Sequence, residues 1–522
     1  MATSTSALPH DAGWRQQWPM LTVLLLLVPL YGLWTWTDQL GELGSDATDY
    51  LVMARHFSPY GKETTANAQT AALSRFPPMY PLLLAWGGGA LDLRVAHALT
   101  SACFLGALLV VYNWLLYEGI PPAAGALLVL LIASLRASWI MGLLVHSEYS
   151  YLMFSMMGLA LLALHDGDGD APRLLVGAAL AIAAAALTRT VGLALYVPMA
   201  VAAFRRMRWN ALGSLLLSLL PFLIWHGLHR ADRGYTDALL AVYGNQGLAA
   251  LKMQLSRQIP ALSTALDEVF SSAYLPHAVS SLLVLACLAA AGWRLIHLKA
   301  DGIYLAAYFA AVLLWPYPEV TSRLVWSVLP VMLVQVVLVA RKLDTVLRVQ
   351  QWLPAMLCTI WLATLGQALP AITLAAGRYM APYKSGYAEA RGLEAWYTED
   401  LAAAVHGVNS QMTVAQALQR LPGWVPPDQC VFAVRPVIVT YFTGRRSMFP
   451  PLNSTPEPDF SRELHRHGCR YAFMYSAADG HFPVPLHPLQ RLPSSTRLLE
   501  IQARPDPFPG TSGMTTVLAR LE

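Results

Sequence analysis

Val95-Ala96-His97-Ala98-Leu99-Thr100-Ser101-Ala102-Cys103-Phe104-Leu105-Gly106-Ala107-Leu108-Leu109-Val110-Val111-Tyr112-Asn113-Trp114-Leu115-Leu116-Tyr117 runs for 23 residues without an Asp, Glu, Lys or Arg. A helix crossing the hydrocarbon core of a bilayer needs about 20 predominantly apolar residues. This stretch has that length, and it does not stand alone. Toward the N-terminus lies Pro19–Trp36. Toward the C-terminus lie Pro122–Met141, Ser147–Leu164, Arg173–Leu187, Val191–Phe204 and Ala211–Leu228. After a polar gap come Ala278–Ile296, Gly302–Trp315, Leu324–Ala340 and Leu353–Ala376, for 11 runs in all. The first run is too long for a removable signal peptide and lacks a small-residue cleavage site, so it reads as a permanent span.

Composition agrees. Of 522 residues, 56% are hydrophobic and 13% charged, with a mean hydropathy of +0.45. A soluble chain this long needs more charge to cover its surface, and a disordered one has fewer apolar residues. Net charge is 35 − 31 = +4, too small and dispersed to argue for nucleic acid. Five cysteines exclude a disulfide-rich secreted scaffold. The expected fold is a polytopic all-α membrane domain of about 11 spans over residues 1–376, followed by a C-terminal soluble α/β domain over 377–522.

Orientation follows from Lys and Arg. Arg205, Arg206 and Arg208, then Arg294 and Lys299, then Arg341, Lys342 and Arg348 form the clearest clusters, placed in the cytoplasm. The N-terminus with Arg15 is then inside, as are Tyr117–Pro121 and His165–Pro172. Thr37–Arg75, Asp92–Arg94, Glu148, Arg189, His229–His277, Pro316–Arg323 and the tail are outside. Both ends of the short run Pro77–Leu91 fall outside too. It carries Pro77, Pro78, Pro81 and Gly87-Gly88-Gly89, which fits a re-entrant or juxtamembrane helix.

The tail is polar and Pro-rich. Tyr387–Gln419 and Pro436–Thr443, the latter closed by Gly444, read as helices. Cys430–Val434, Tyr471–Tyr475, Leu498–Ala503 and Thr515–Leu521 read as strands. Cys430 and Cys469 can pair in an oxidising compartment; two buried free thiols are the other reading. Cys103, Cys287 and Cys358 sit in apolar runs as small apolar residues.

Charged groups near membrane depth are costly and mark function, and, the Lys/Arg clusters aside, most ionisable residues close to an apolar run lie on the outer face. In Gly44-Ser45-Asp46-Ala47-Thr48-Asp49-Tyr50-Leu51-Val52-Met53-Ala54-Arg55, a helix starting at Ser45 aligns Asp46, Asp49, Tyr50 and Met53 on one face. Ser45 or Asp46 caps that helix in the plain reading; a carboxylate at the lipid–water boundary is also a candidate general base. Arg75-Phe76-Pro77-Pro78-Met79-Tyr80-Pro81 fixes the chain as it meets the membrane. Glu148, in His146-Ser147-Glu148-Tyr149, is a helix opener or a substrate or divalent-metal ligand, and His146 an interface residue. Arg189 and Arg323 either snorkel or bind phosphate, which the guanidinium fork suits; Glu319 is a candidate partner for Arg323. Arg136, well inside the run Pro122–Met141, has no explanation in the sequence.

His165-Asp166-Gly167-Asp168-Gly169-Asp170 imitates a calcium loop but lacks the Gly at its sixth and the Glu at its twelfth position. His465-Arg466-His467 has no metal spacing. No P-loop, dinucleotide fingerprint, zinc signature or Gly-x-Ser-x-Gly elbow occurs.

The pattern Asp-x-x-x-Tyr-x-x-x-Ala-Arg from Asp46, then Phe76-Pro77-Pro78-x-Tyr80-Pro81-Leu82-Leu83-Leu84, the acid Glu148, Thr188-Arg189 and an α/β tail resembles the GT-C superfamily of membrane glycosyltransferases. The nearest branch in pattern is the bacterial protein mannosyltransferase-like group, which includes lipid A aminoarabinose transferases. That resemblance implies a multi-pass enzyme of the inner (cytoplasmic) membrane, with its tail periplasmic. It implies hexosyl or pentosyl transfer from a polyprenyl-phosphate-linked sugar to a lipid, glycan or protein acceptor. Asp46 falls on the catalytic carboxylate, with Asp49 as second candidate. Arg75, Tyr80, Glu148, Arg189 and Arg323 fall on donor-phosphate or substrate positions. Some members use a divalent cation, for which Glu148 is the candidate ligand. The competing readings are a polysaccharide ligase or polymerase, which usually carries its outer region between spans, and a lipid or sugar transporter, which predicts ionisable residues at mid-membrane and two related halves.

Overall fold

Inside hydrocarbon a chain must satisfy its own backbone polar groups, and a helix does so locally. The apolar runs from Pro19–Trp36 to Leu324–Ala340 are helical accordingly, in a computed structural model. It describes residues 10–37, 40, 46–61, 64–72, 74, 76–167, 172–205, 209–228, 239, 243, 247–270, 277–347, 354–362, 414–433, 435–451, 459–466, 468–475, 496–503 and 515–521. In chain order the helices are α1 (His10–Thr35), α2 (Ala47–Phe57), α3 (Thr65–Ala72), α4 (Met79–Trp86), α5 (Leu93–Tyr117), α6 (Pro122–Ser134), α7 (Arg136–Gly142) and α8 (Glu148–Gly167). They continue with α9 (Pro172–Thr188), α10 (Tyr196–Arg205), α11 (Trp209–Leu228), α12 (Gly247–Phe270), α13 (His277–Ile296), α14 (Ala300–Leu313) and α15 (Thr321–Leu347).

Among the described residues, three stretches are long and apolar enough to cross a membrane: Arg15–Thr35, Leu93–Tyr117 and Thr321–Leu343. Helices α13 and α14 reach that measure together but are bent by 116°. The buried pair Arg294–Asp301, at 2.7 Å, closes the bend. Pro122–Ser134, Pro172–Thr188, Thr190–Phe204 and Leu212–Leu228 are shorter apolar helices. The eleventh expected span, Leu353–Ala376, is described only over 354–362, which is helical.

Two local departures have physical causes. The run Pro122–Met141 is not one helix: Leu135 is extended (φ −62°, ψ 137°), and Arg136 opens α7. At the break the Ile132 carbonyl accepts the Leu135 N–H at 3.4 Å and the Ser138 hydroxyl at 2.7 Å. The run Pro77–Leu91 shrinks to α4, eight residues long, about 12 Å at 1.5 Å per residue and too short to cross. It ends in a glycine turn that lies hard against α5: a Cβ on Gly89 would sit 2.9 Å from the Ala96 Cα, and Gly88 has φ +85°.

Near the C-terminus, β1 (Cys430–Ala433), β2 (Arg446–Met448), β3 (Tyr471–Tyr475), β4 (Arg497–Ala503) and β5 (Thr515–Arg520) form one sheet in the order β2-β1-β3-β5-β4. Strand β1 runs parallel to β2 and β3, and β5 runs antiparallel to β3 and β4. Alternation sets the two faces. Val431, Ala433, Phe473, Tyr475 and Leu518 pack on the helix over 414–424 and on α16 (Pro436–Thr443). Phe432, Ala472, Met474 and Val517 pack with Leu464 of α17 (Asp459–Arg466). Gly444, at φ +66°, ends α16 as the sequence suggests. Strand β2 has three residues, too few for a readable period. Residues 387–413 of the expected Tyr387–Gln419 helix, and the expected boundary at 376/377, lie outside the described residues.

Cys430 and Cys469 are joined as a disulfide, with Cα atoms 4.4 Å apart across a separation of 39 residues. Chain entropy assigns a loop of that size about 4 kcal/mol. Cys430→Ser with Cys469→Ser is therefore expected to open the tail to limited proteolysis well below the temperature at which the wild type is cut. Identical cleavage profiles would dismiss a structural role for the bridge.

Candidate active site

The site starts at α2. This helix buries Tyr50, Leu51, Val52, Met53 and Ala54 in a small core with Tyr80 and Leu84 of α4, Phe76 and Val145. That packing fixes where its first residue points. Asp46 occupies the N-cap position but makes no side-chain capping bond. Its Oδ2 instead accepts from Arg323 Nη2 at 3.1 Å. Arg323 lies in the first turn of α15, so a guanidinium is held at a helix end that repels cations. Such a placement needs a local anion.

Glu148 supplies it. As the first residue of α8 it is 1% exposed, and its Oε1 lies 2.7 Å from Arg189 Nη1. The same oxygen accepts from Arg323 Nε at 2.9 Å and Nη2 at 2.7 Å. Arg189 stands in an extended link (φ −145°, ψ 136°) between α9 and a 3₁₀ turn over Thr190–Leu195. One buried carboxylate therefore clamps two guanidiniums side by side, and charge-assisted bonds of this kind are the strong ones. The arginines and Asp46 keep partial exposure (16%, 24% and 20%).

Neighbouring groups hold the clamp in shape. The Tyr50 and Ser147 hydroxyls lie 2.8 Å apart, tying α2 to the turn before α8. His146, 2% exposed, puts Nδ1 3.9 Å from Glu148 Oε2. Burial, and after it the Arg323 charge, push the His146 pKa down to about 4, so its ring is neutral at pH 7.

Other expected residues fall differently. Tyr80 stands behind the cluster: its ring meets Tyr50 edge-on at 5.0 Å, and its hydroxyl lies 2.7 Å from Thr100 Oγ1. Its ring packs against Tyr50, which itself bonds Ser147 beside Glu148. Asp49 is half-buried in the first turn of α2, and the Arg323 contact belongs to Asp46. Arg75 lies outside the described residues, as do the side chains of Glu319 and Arg136. Glu148, the candidate metal ligand, presents Oε1 to the two guanidiniums and Oε2 toward His146 Nδ1 at 3.9 Å. Among the described residues no three His, Cys, Asp or Glu side chains gather as a metal site.

Two carboxylates and two guanidiniums at the ends of α2, α8, α9 and α15 can do one thing well: receive an anionic group beside a carboxylate. Compared with solved structures, the chain is similar to ArnT from Cupriavidus metallidurans bound to undecaprenyl phosphate. Identity is 11% and the TM-score 0.48, over 96% of this chain and 98% of that one. It is also similar to the archaeal oligosaccharyltransferase AglB from Archaeoglobus fulgidus in complex with an inhibitory peptide and a dolichol-phosphate. There identity is 12% and the TM-score 0.46, over 88% and 69%. No protein-family model matches the chain, and neither does any curated protein. At these scores and identities the site residues, not the neighbours, carry the functional reading.

The sequence singled out Asp46, Glu148, Arg189 and Arg323 separately. It did not reveal a part for the C-terminal tail: the Arg55 side chain reaches Tyr441, 386 residues away. The available signal was an Arg on a mostly buried helix, and its place in the last turn gave it an ordinary explanation in the helix dipole.

Proposed function

We propose that this protein is a membrane glycosyltransferase acting at the outer face of the cytoplasmic membrane, with the tail on that side. It transfers a sugar from a polyprenyl-phosphate donor to a lipid, glycan or protein acceptor. The observation that carries the reading is the sharing of Arg323 between buried Glu148 and part-exposed Asp46, at 2.7 and 3.1 Å. The donor phosphate docks on the outward N–H groups of Arg323 and Arg189, and the apolar helices take the lipid tail. Drawing Arg323 onto the phosphate takes its Nη2 away from Asp46 Oδ2. The acceptor hydroxyl oxygen then attacks the anomeric carbon, Asp46 takes its proton, and the bond from that carbon to the phosphate oxygen breaks. Polyprenyl phosphate leaves with the bonding electrons, and the sugar carbon inverts. A transporter would place its ionisable groups at mid-membrane; these four lie at helix ends.

Arg323→Ala is expected to weaken donor binding more than turnover. Hydrogen bonds to charged groups contribute about 1.5–3 kcal/mol, or roughly 10- to 150-fold in donor half-saturation. The check is polyprenyl phosphate release by purified protein as the donor concentration is varied. Unchanged half-saturation would remove Arg323 from the phosphate site. A cytoplasmic location for a C-terminal tag would overturn the choice of face.

A further inference from the structure

Arg55 closes the last turn of α2, nine residues after Asp46. A basic side chain there ordinarily turns back on its own helix end or into water. This one does neither. Its Nη1 donates to the Tyr441 carbonyl at 2.9 Å, and its guanidinium carbon lies 4.2 Å above the centre of the Tyr441 ring. Its Nε reaches toward the Ala90 carbonyl, at 3.4 Å, in the glycine turn after α4. Tyr441 belongs to α16 of the tail. A second bond crosses the same junction: the buried hydroxyls of Thr70 in α3 and Thr440 in α16 lie 2.8 Å apart. Tyr441 and Phe442 also pack against the core that α2 forms with α4.

Helix α2 is thus held at both ends by different parts of the chain. At its start, Asp46 meets Arg323. At its end, Arg55 grips the tail. Nine residues of helix separate the two, about 13 Å at 1.5 Å per residue, and a helix packed along its length moves as a unit. A planar guanidinium can bond a carbonyl and cover a ring together, which an ammonium does less well.

We infer that the tail is part of the catalytic unit: through Arg55, helix α16 acts as a brace that sets the position of Asp46. Arg55 is a positioning residue, because it touches neither donor nor acceptor. This rests on the reading of Asp46 as the base. The consequence is specific. Loosening the brace moves Asp46 relative to the acceptor hydroxyl and leaves the arginines that hold the phosphate in place. Turnover falls while donor half-saturation stays. A misplacement of about 1 Å can cost on the order of 100-fold, so a tenfold or greater loss in kcat is the expected scale.

The test uses the full-length protein in detergent or nanodiscs, with Arg55→Ala, Arg55→Lys, Tyr441→Ala and the milder Thr70→Val. Amide hydrogen exchange is read over 47–57 and 436–443, alongside kcat and donor half-saturation. Arg55→Ala is expected to speed exchange in both segments together and to lower kcat about tenfold, with half-saturation within about twofold. Arg55→Lys should recover part of the loss. Tyr441→Ala added to Arg55→Ala should cost less than the two single losses combined, because the two share the ring contact. If Arg55→Ala does not insert stably, Thr70→Val probes the same junction with the same signs. Unchanged exchange in both segments overturns the brace, and so does faster exchange with unchanged kcat. The two readings fail separately. Exchange reports on the brace even if Asp46→Asn proves active, whereas an inactive Asp46→Asn beside a fully active Arg55→Ala sinks the brace alone.

Discussion

Asp46→Asn is expected to lower transfer by about three orders of magnitude, within the range by which positioned acid–base groups accelerate reactions, and to leave the protein folded and inserted. Asparagine keeps the shape of aspartate. Its amide oxygen can still accept the bond from Arg323 that the carboxylate accepts at 3.1 Å. The side chain caps no helix amide, so the substitution removes no capping bond. What it removes is a proton acceptor and a negative charge. Lipid mass spectrometry on cells carrying wild type or variant is the direct check. A polyprenyl-phosphate sugar should accumulate in the variant, and its mass would reveal the sugar class. Full turnover by Asp46→Asn would mean that another group is the base.

Glu148→Gln should do more damage to the protein itself. The amide still offers an oxygen but no charge. Two guanidiniums that converge on Glu148 Oε1 at 2.7 Å would then face each other with only the Asp46 carboxylate, 3.1 Å from Arg323, left beside them. Removing one partner of a buried ion pair costs about 3–5 kcal/mol, so folded yield and thermal stability should fall together with activity. The double variant Glu148→Gln, Arg189→Gln separates the causes. Deleting one guanidinium relieves the repulsion and should recover stability, yet it cannot recover transfer if both arginines hold the phosphate. A Glu148→Gln protein as stable as wild type would show that the clamp is not the anchor of the site.

The charged residues of the site were legible because charge near membrane depth is rare. Glu148, Arg189 and Arg323 each stand at the end of an apolar run and drew attention there, and Asp46 stands in the first outer loop, where its helix face and motif also marked it. Arg136 drew the same attention; it marks a break between two helices, which a window average of apolarity cannot register. Tyr80 was legible as a residue of note, but its contacts with Tyr50 and Thr100 were not, since a motif says nothing about which neighbour stands in front. The pair Cys430 and Cys469 was open between bridge and thiols until β1 and the start of β3 lay side by side.

The sequence by itself determined what a short window of chain can hold: the helices of the apolar runs, the strands other than β2, the glycine stop at Gly444, and the gathering of ionisable groups at helix ends; the polar helices α3, α12 and α17 were not legible, because no apolar run marks them. Each legible feature depends on residues within a turn or two of one another. Only the tertiary structure decided the partners. Asp46 meets Arg323 across 277 residues, Glu148 meets it across 175, and Arg55 meets Tyr441 across 386. Those choices depend on which faces of α2, α8, α15 and α16 pack together. Before that packing, Asp46 is equally suited to cap its own helix; after it, the nearest strong donor is an arginine from another one.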